Sequence, residues 1–435
     1  MKKLWDRLFL GERPSIWLSF FRIAVALTVG FHVLPTFCHL DDNYFHTAFK
    51  TLNWNFFTSA TLDLVQKSPD WVVLIFVTVF CIFWFFFLIG LWSQLSCLLM
   101  VVASYYFYAL NAFHVGTLSW DILLVTLFLM CLTPFHGDYF SVDSLLHPDE
   151  EAYKKRRPYF IQRLLQMQIA FTYFYTGLYK ITAEGNWIRE NPLYYLMNYP
   201  PEGTTKYFIL RDFLYDKPQL CYALGILIIT VELLMPFLLF CRRTRLSAIY
   251  LGMVFHVALI LTLDVPAIFF FLFPAQLLLF INSDHIVQWI DGKRRYNQTA
   301  PMQSRLVYDG NCQFCRHSVQ LIKVMDLFAT LKLVNFQEAA LHPEGKDEGM
   351  RVIHPQLTYQ KAMSQLYLIE PEGTLYGGFD VFRRICFTMP MLYPMIFIFY
   401  FPGMGIVGPF IYKMVARNRY LFHFNRTCQN NACYR

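Results

Sequence analysis

The pattern of apolar and polar positions divides the chain into two unequal parts. A bilayer-crossing helix needs ~20 predominantly apolar residues, and stretches of about that length lie at residues 15–36, 71–93, 96–113, 119–136, 162–182, 219–241, 246–263 and 265–282. From residue 283 the apolar runs shorten. Residues 283–302, which include Gly292 and Lys293-Arg294-Arg295, lack an apolar repeat and predict a linker. Beyond it, residues 305–308 form a β-branched and aromatic run, Gly310-Asn311 a turn, and residues 318–325 a helix by apolar spacing. Residues 331–336 and 365–369 read as strands, and Glu370-Pro-Glu-Gly373 as a hairpin turn into a strand at 374–376. Residues 389–412 are strongly apolar but contain Pro390, Pro394, Pro402 and Pro409, which predict broken helices lying on the membrane or on the domain core rather than a ninth span. The expectation is an α-helical polytopic membrane domain of about eight spans (1–282), a linker (283–302), a small α/β domain (303–424) and a tail (425–435).

Composition agrees with this division. Hydrophobic residues make up 56% of the 435 and charged residues 15%, which excludes a single water-soluble globule. The net charge of +7 is gathered in short clusters, with no continuous basic face, so the expected partner is a lipid bilayer and not a nucleic acid. Lys and Arg in short loops mark the cytoplasmic side. With eight spans, the amino-terminal segment, the Lys-Lys-Arg-Arg run at 154–157, the turn at 242–245 and the run at 293–295 fall together, and both termini are expected in the cytoplasm at an inner (cell) membrane. The connector at 114–118 lacks Lys and Arg, and Asp264 is acidic, as outer loops can be. The apolar run after the amino terminus is long and lacks a small-residue cleavage site, so it reads as a first span and not as a signal peptide.

Of eleven cysteines, only Cys312 and Cys315 have a redox spacing inside a polar-flanked turn. Both fall at the start of the helix predicted after the turn, where unsatisfied N–H groups and the helix dipole stabilise a thiolate. Cys312, expected to be the more exposed, is the candidate nucleophile, and Cys315 the resolving thiol. Arg316 and His317 add positive charge. Asp309 is either a proton acceptor or a residue holding the turn through its own backbone. The alternatives are half of a zinc site and an inert pair; Cys428 and Cys433, the other close pair, have the wrong offset for zinc, and no metal site is expected. Cys38 and Cys221 fall at the outer edge of the membrane body and are candidates for a structural disulfide.

Ionisable residues inside spans are costly and mark functional sites or helix-packing hydrogen bonds. Arg22, Asp121, Lys180, Glu232 and His256 are the notable ones. Asp121, Lys180, Glu232 and His256 are expected to converge in one outward-opening cavity.

Two resemblances sharpen these expectations. Val307-Tyr-Asp-Gly-Asn-Cys312-Gln-Phe-Cys315-Arg316, Gly377-Gly-Phe-Asp-Val-Phe382 and Tyr412-Lys-Met-Val-Ala-Arg-Asn-Arg-Tyr420 resemble three motifs of the DCC family of thiol-disulfide oxidoreductases. That resemblance implies a thioredoxin-like sheet, a redox-active Asp309, Cys312 and Cys315, no cofactor required for the dithiol, and a disulfide-containing protein or small thiol as partner. The segment from Tyr173 through Lys180 to Trp187, with Val231-Glu232-Leu-Leu-Met-Pro236 and Phe255-His256, resembles the horizontally transferred transmembrane (HTTM) domain related to vitamin K-dependent gamma-carboxylase. It implies Lys180 as a base toward a lipid quinone, with Asp121, Glu232 and His256 as quinone-binding candidates. Three functions follow: a membrane-bound thiol-disulfide oxidoreductase, a carboxylase-like quinone enzyme, and a non-enzymatic redox-sensing module.

Overall fold

A computed structural model describes residues 10–46, 64–111, 118–182, 186–199, 209–262, 265–300, 303–420, 427–429 and 432–434. The connector at 112–117, Asp264 and most of the tail at 425–435 lie outside the described residues. The chain forms two compact units, one of residues 1–144 and 152–285 and the other of residues 145–151 and 286–435.

In the first unit, strand β1 (Glu12–Pro14) leads into helix α1 (Ile16–His32), followed by α2 (Asp70–Ile89), α3 (Ser93–Leu110) and α4 (Leu118–Cys131). Strand β2 (Arg156–Pro158) pairs antiparallel with β1, Arg13 opposite Arg157, and opens α5 (Phe160–Thr182), α6 (Pro218–Phe240) and α7 (Arg245–Thr262). Among the described residues, five helices are long and apolar enough to cross a membrane, or up to seven when two bent pairs each count as one span. This is a multi-pass membrane protein with fewer continuous spans than the eight expected. Helix α4 has 14 residues, and the expected span at 265–282 is broken. After a short turn at Ala267–Phe269, helix α8 (Leu272–Leu278) ends, and the chain bends by 86° into α9 (Ser283–Thr299). Pro266 and Pro274 lie in this stretch, and proline removes a helix donor. The carbonyl of Leu279, freed at the end of α8, accepts from Gln162 at 2.8 Å and Gln166 at 2.7 Å, both buried on α5. Glutamine amides on a polar stripe of α5 therefore complete the backbone of a broken helix.

The segment expected to be a linker at 283–302 is helical over most of its length, as α9. Its few buried contacts are widely spaced: Ile290 is buried, Trp289 meets Phe328 edge-on at 5.4 Å, and Asn297 donates to the Phe328 carbonyl at 2.8 Å. Arg294 donates to the carbonyls of Asp326 and Leu327. With so much of the packing made by polar side chains, the apolar repeat that marks an amphipathic helix is weak.

The second unit holds a four-stranded sheet in the order β4-β3-β5-β6, formed by β3 (Ser304–Tyr308), β4 (Leu331–Asn335), β5 (Tyr367–Ile369) and β6 (Leu375–Gly377). β3 and β4 are parallel, joined by helix α10 (Gln313–Met325); β5 runs antiparallel to β3, and β6 to β5. This mixed sheet is the thioredoxin-like arrangement expected. Successive residues of β3 point to opposite faces: Leu306 packs with Val319, Ile322 and Leu368, and Val307 with Phe336, Met350 and Ile369. After β6 come α11 (Phe379–Ile385), α12 (Tyr393–Phe399) and α13 (Met404–Asn418). The apolar stretch at 389–412 is thus broken, as its prolines predicted; Phe379 packs edge-on against Phe399 and lies against Gly408, while Phe397, Ile406 and Phe410 are exposed.

Candidate functional site

The dithiol sits where β3 passes into α10. Cys312 is the N-cap of that helix, in extended backbone, and its Sγ accepts the N–H of Cys315 at 3.2 Å. A thiolate at an N-cap is stabilised by just such a donor. The expectation that Cys312 is the more exposed thiol is corrected: it is 1% exposed, and Cys315 is half-buried. Burial, then the hydrogen bond and charge of Cys312, pushes the Cys315 thiol well above the usual thiol range.

The cation opposing that shift is Arg419, from just past α13, rather than the exposed Arg316. Arg419 is buried and pairs with Asp309 at 3.4 Å. Asp309, also buried, accepts from the Asn311 N–H at 3.0 Å, from Gln337 Nε2 at 2.8 Å and from the Tyr420 hydroxyl at 2.7 Å. With four donors converging on it, the carboxylate holds the turn and anchors the carboxy-terminal helix; of the two readings open in the sequence, geometry favours this one. Burial, then its bond to Asp309, raises the Tyr420 phenol.

Asn335, at the end of β4, accepts the Gly310 N–H at 3.0 Å and the Gln337 N–H at 3.2 Å. A Cβ on Gly310 would collide with the Asn335 side chain. Gly310→Ala is therefore expected to destabilise the domain by about 1–3 kcal/mol through overpacking, read as an earlier denaturant midpoint with the cysteines more open to alkylation; an unchanged midpoint would show that Asn335 gives way freely.

The other two motifs meet at the start of β5. Gly378, with φ of 65°, donates its N–H to the Leu366 carbonyl at 2.9 Å, and the Leu366 N–H donates to the Tyr412 hydroxyl at 2.9 Å. Arg419 and Tyr420 lay inside a motif already visible in the sequence, without an assigned role. Gln337 and Asn335 carried no motif signal and were missed.

In the membrane unit the four polar residues expected to converge are found in separate hydrogen-bonded contacts. Lys180 Nζ donates to both oxygens of Glu232, at 2.8 and 2.7 Å, beneath the ring of Trp187 at 5.3 Å. His256 Nε2 shares a 2.7 Å hydrogen bond with the Tyr173 hydroxyl. Asp121 accepts from Tyr108 at 2.7 Å and borders a separate groove of about 420 Å³ with Gln168, Thr172 and Tyr175, whose lining includes none of Lys180, Glu232 and His256. The sequence placed these residues by depth, and depth leaves open which helix faces which. Close approach of α5 and α6 makes the Lys180–Glu232 pair possible: a Cβ on Gly177 would stand 3.1 Å from that of Glu232. Arg22 is fully buried and donates to the carbonyls of His136 (3.0 Å) and Phe140, bracing the segment after α4. Cys38 and Cys221 are free thiols, so the candidate disulfide is not formed; Cys221 Sγ bonds the Leu214 carbonyl instead.

Comparison with known families assigns both units. A family model of the HTTM domain matches residues 12–285, and a model of the DCC1-like thiol-disulfide oxidoreductase matches residues 306–424. No curated protein and no solved structure matches the chain.

Proposed function

The chain belongs to the HTTM family and carries a DCC1-like thiol-disulfide oxidoreductase domain, and from that premise we propose that it is a membrane-bound protein-disulfide oxidoreductase whose reacting pair is Cys312 and Cys315. The observation that carries the reading is the N-cap position of Cys312, whose sulfur receives a backbone N–H while Cys315 is held as the thiol. The Cys312 thiolate attacks one sulfur of a substrate disulfide, forming a mixed disulfide and expelling the other sulfur as thiolate. Cys315, on losing its proton, attacks Cys312 sulfur, closes the Cys312–Cys315 disulfide and releases the second substrate thiolate. The dithiol gives up two electrons and two protons, and two molecules of a small thiol restore it as they are oxidised to a disulfide. No cofactor takes part in these steps. The basic loops support a reading with both termini in the cytoplasm, at an inner (cell) membrane.

Cys315→Ser tests the order of attack. It preserves the first step and blocks the second, so full-length protein incubated with oxidised glutathione is expected to accumulate a glutathione adduct on Cys312, read by mass spectrometry of the intact chain. An adduct on neither cysteine, or equal adducts in Cys312→Ser, would sink the assignment.

A lipid quinone served by Lys180 fits the geometry less well. A base toward quinone must face the quinone, and Lys180 Nζ faces both oxygens of Glu232. We therefore assign Lys180 and Glu232 to holding α5 against α6, and derive no carboxylase step.

A further inference from the structure

The carboxy-terminal unit carries a long stretch of chain without charge: residues 385–412, between Arg384 and Lys413, include no acidic or basic side chain. Most of it forms α12 and α13, joined through Phe401-Pro402-Gly403. One side of this helical pair is fixed to the domain. Phe379 of α11 meets Phe399 edge-on and covers Gly408, and the Tyr412 hydroxyl accepts the Leu366 N–H at 2.9 Å. Gly408 and Tyr412 stand one turn apart and define the inward face of α13.

The other side is apolar and open. Phe397 on α12 is 83% exposed and Ile406 on α13 is 82% exposed, with Phe401, Phe410 and Met414 exposed beside them. Surfaces that face only water rarely leave so many neighbouring large apolar side chains uncovered. The outward stripe of α13 also changes along its length. Ile406 and Phe410 are followed, at the same angle around the helix, by Lys413 and Arg417, both exposed. Apolar side chains therefore give way to cations in the order in which a leaflet presents acyl chains and then phosphates.

Length decides how deep such a pair can go. α12 has 7 residues and α13 has 15, about 10 and 22 Å of helix at 1.5 Å per residue, and neither spans a hydrocarbon core of ~30 Å. The Pro402-Gly403 turn would leave irregular backbone unsatisfied deep in lipid. We propose that α12 and the first half of α13 lie in the interfacial layer of the bilayer, with Phe397, Ile406 and Phe410 among the acyl chains and Lys413 and Arg417 at the level of the phosphates. The bilayer is the occupant because the same polypeptide is anchored in one by the spanning helices of its first unit, which keeps lipid at high effective concentration. A protein partner calls for a polar rim around an apolar centre, whereas this stripe runs in one direction from apolar to cationic. Arg419 and Tyr420, just past α13, bond Asp309 at the redox turn. An inserted α13 thereby holds the dithiol turn near the leaflet surface.

The test places the photoreactive residue p-benzoylphenylalanine at position 397, 406 or 410 of the full-length protein in vesicles of phosphatidylcholine and phosphatidylglycerol. The mass of the intact chain is read after irradiation, and it reports contact without reference to any thiol chemistry. An increment of one phospholipid is expected at all three positions. None is expected at position 341, where Leu341 is exposed beyond β4, at the opposite edge of the sheet from β6. Phe397→Asp combined with Phe410→Asp should lower the lipid adduct at position 406 by about tenfold or more, the effect of withdrawing two phenyl groups from lipid. Absence of lipid adducts at all three positions, cross-links to another segment of this chain or to a second copy in their place, equal yield at position 341, or an adduct at 406 that the double substitution leaves undiminished would each overturn the assignment. Should the double variant fail to fold, the comparison of positions 397, 406 and 410 with 341 still decides it.

Discussion

Replacing Cys312 with serine is expected to lower disulfide reductase activity by on the order of a thousandfold or more, because it removes the nucleophile itself. The assay is reduction of insulin by the full-length protein with dithiothreitol as electron source. Serine at this N-cap still accepts the Cys315 N–H, and serine is a preferred capping residue, so the helix start survives the change. Loss of activity with an unchanged melting curve therefore reports chemistry and not unfolding. Cys38→Ser, at an exposed thiol of the membrane unit, should behave as the unchanged protein. Cys386 supplies a further contrast: its thiol is buried, bonded to the Phe382 carbonyl at 3.0 Å and pushed up to about 11 by burial, so it stays inert toward the same disulfides. Full reductase activity in Cys312→Ser would leave the non-enzymatic module as the better reading.

Lys180→Ala should destabilise the membrane unit by about 3–5 kcal/mol, the usual consequence of leaving one member of a buried ion pair alone. Glu232 is 6% exposed at its side chain and receives Nζ on both oxygens, so the variant buries a carboxylate without its cation. The sign is checked by the second change. Glu232→Gln in the Lys180→Ala background removes the stranded charge, and should recover much of the loss; Lys180→Met with Glu232→Leu should come near the unchanged protein, since a well-packed apolar pair often equals a buried ionic one. A catalytic lysine behaves otherwise, losing activity at constant stability with no recovery from the glutamate change. Thermal melting of the four proteins in one detergent separates the two, and a Lys180→Ala melting curve identical to that of the parent would remove the structural role.

Much of the dithiol site was legible because its signals are local. A strand, a Gly-Asn turn and two cysteines a helical turn apart occupy a dozen residues, and local geometry follows from local sequence. The succession of strands along the chain was legible for the same reason, each strand being bounded by turn residues. What was hidden depends on partners far away in the chain. Cys312 looked exposed because it begins a helix, but it is buried in the folded domain. Residues 283–302 looked like a linker because the helix there is held by Arg294 and Asn297 on carbonyls rather than by an apolar stripe. The eighth span failed because hydropathy counts apolar side chains and ignores where the backbone bonds end; Gln162 and Gln166 give the Leu279 carbonyl its partners. Asp121, Lys180, Glu232 and His256 were read as ionisable residues inside spans, and each has a hydrogen-bond partner. Their pairing, Lys180 with Glu232 and His256 with Tyr173, depended on the rotation of three helices about their axes, which depth alone leaves free.

Asp309 bonds Arg419 and Tyr420, which follow it by 110 and 111 positions. Synthesis runs from the amino end, so the aspartate and both cysteines emerge long before the cation and phenol that complete their surroundings. Until α13 docks, burying Asp309 would strand a charge, and closing so long a loop is slow. The redox turn is therefore among the first parts of its domain to be made and among the last to be finished.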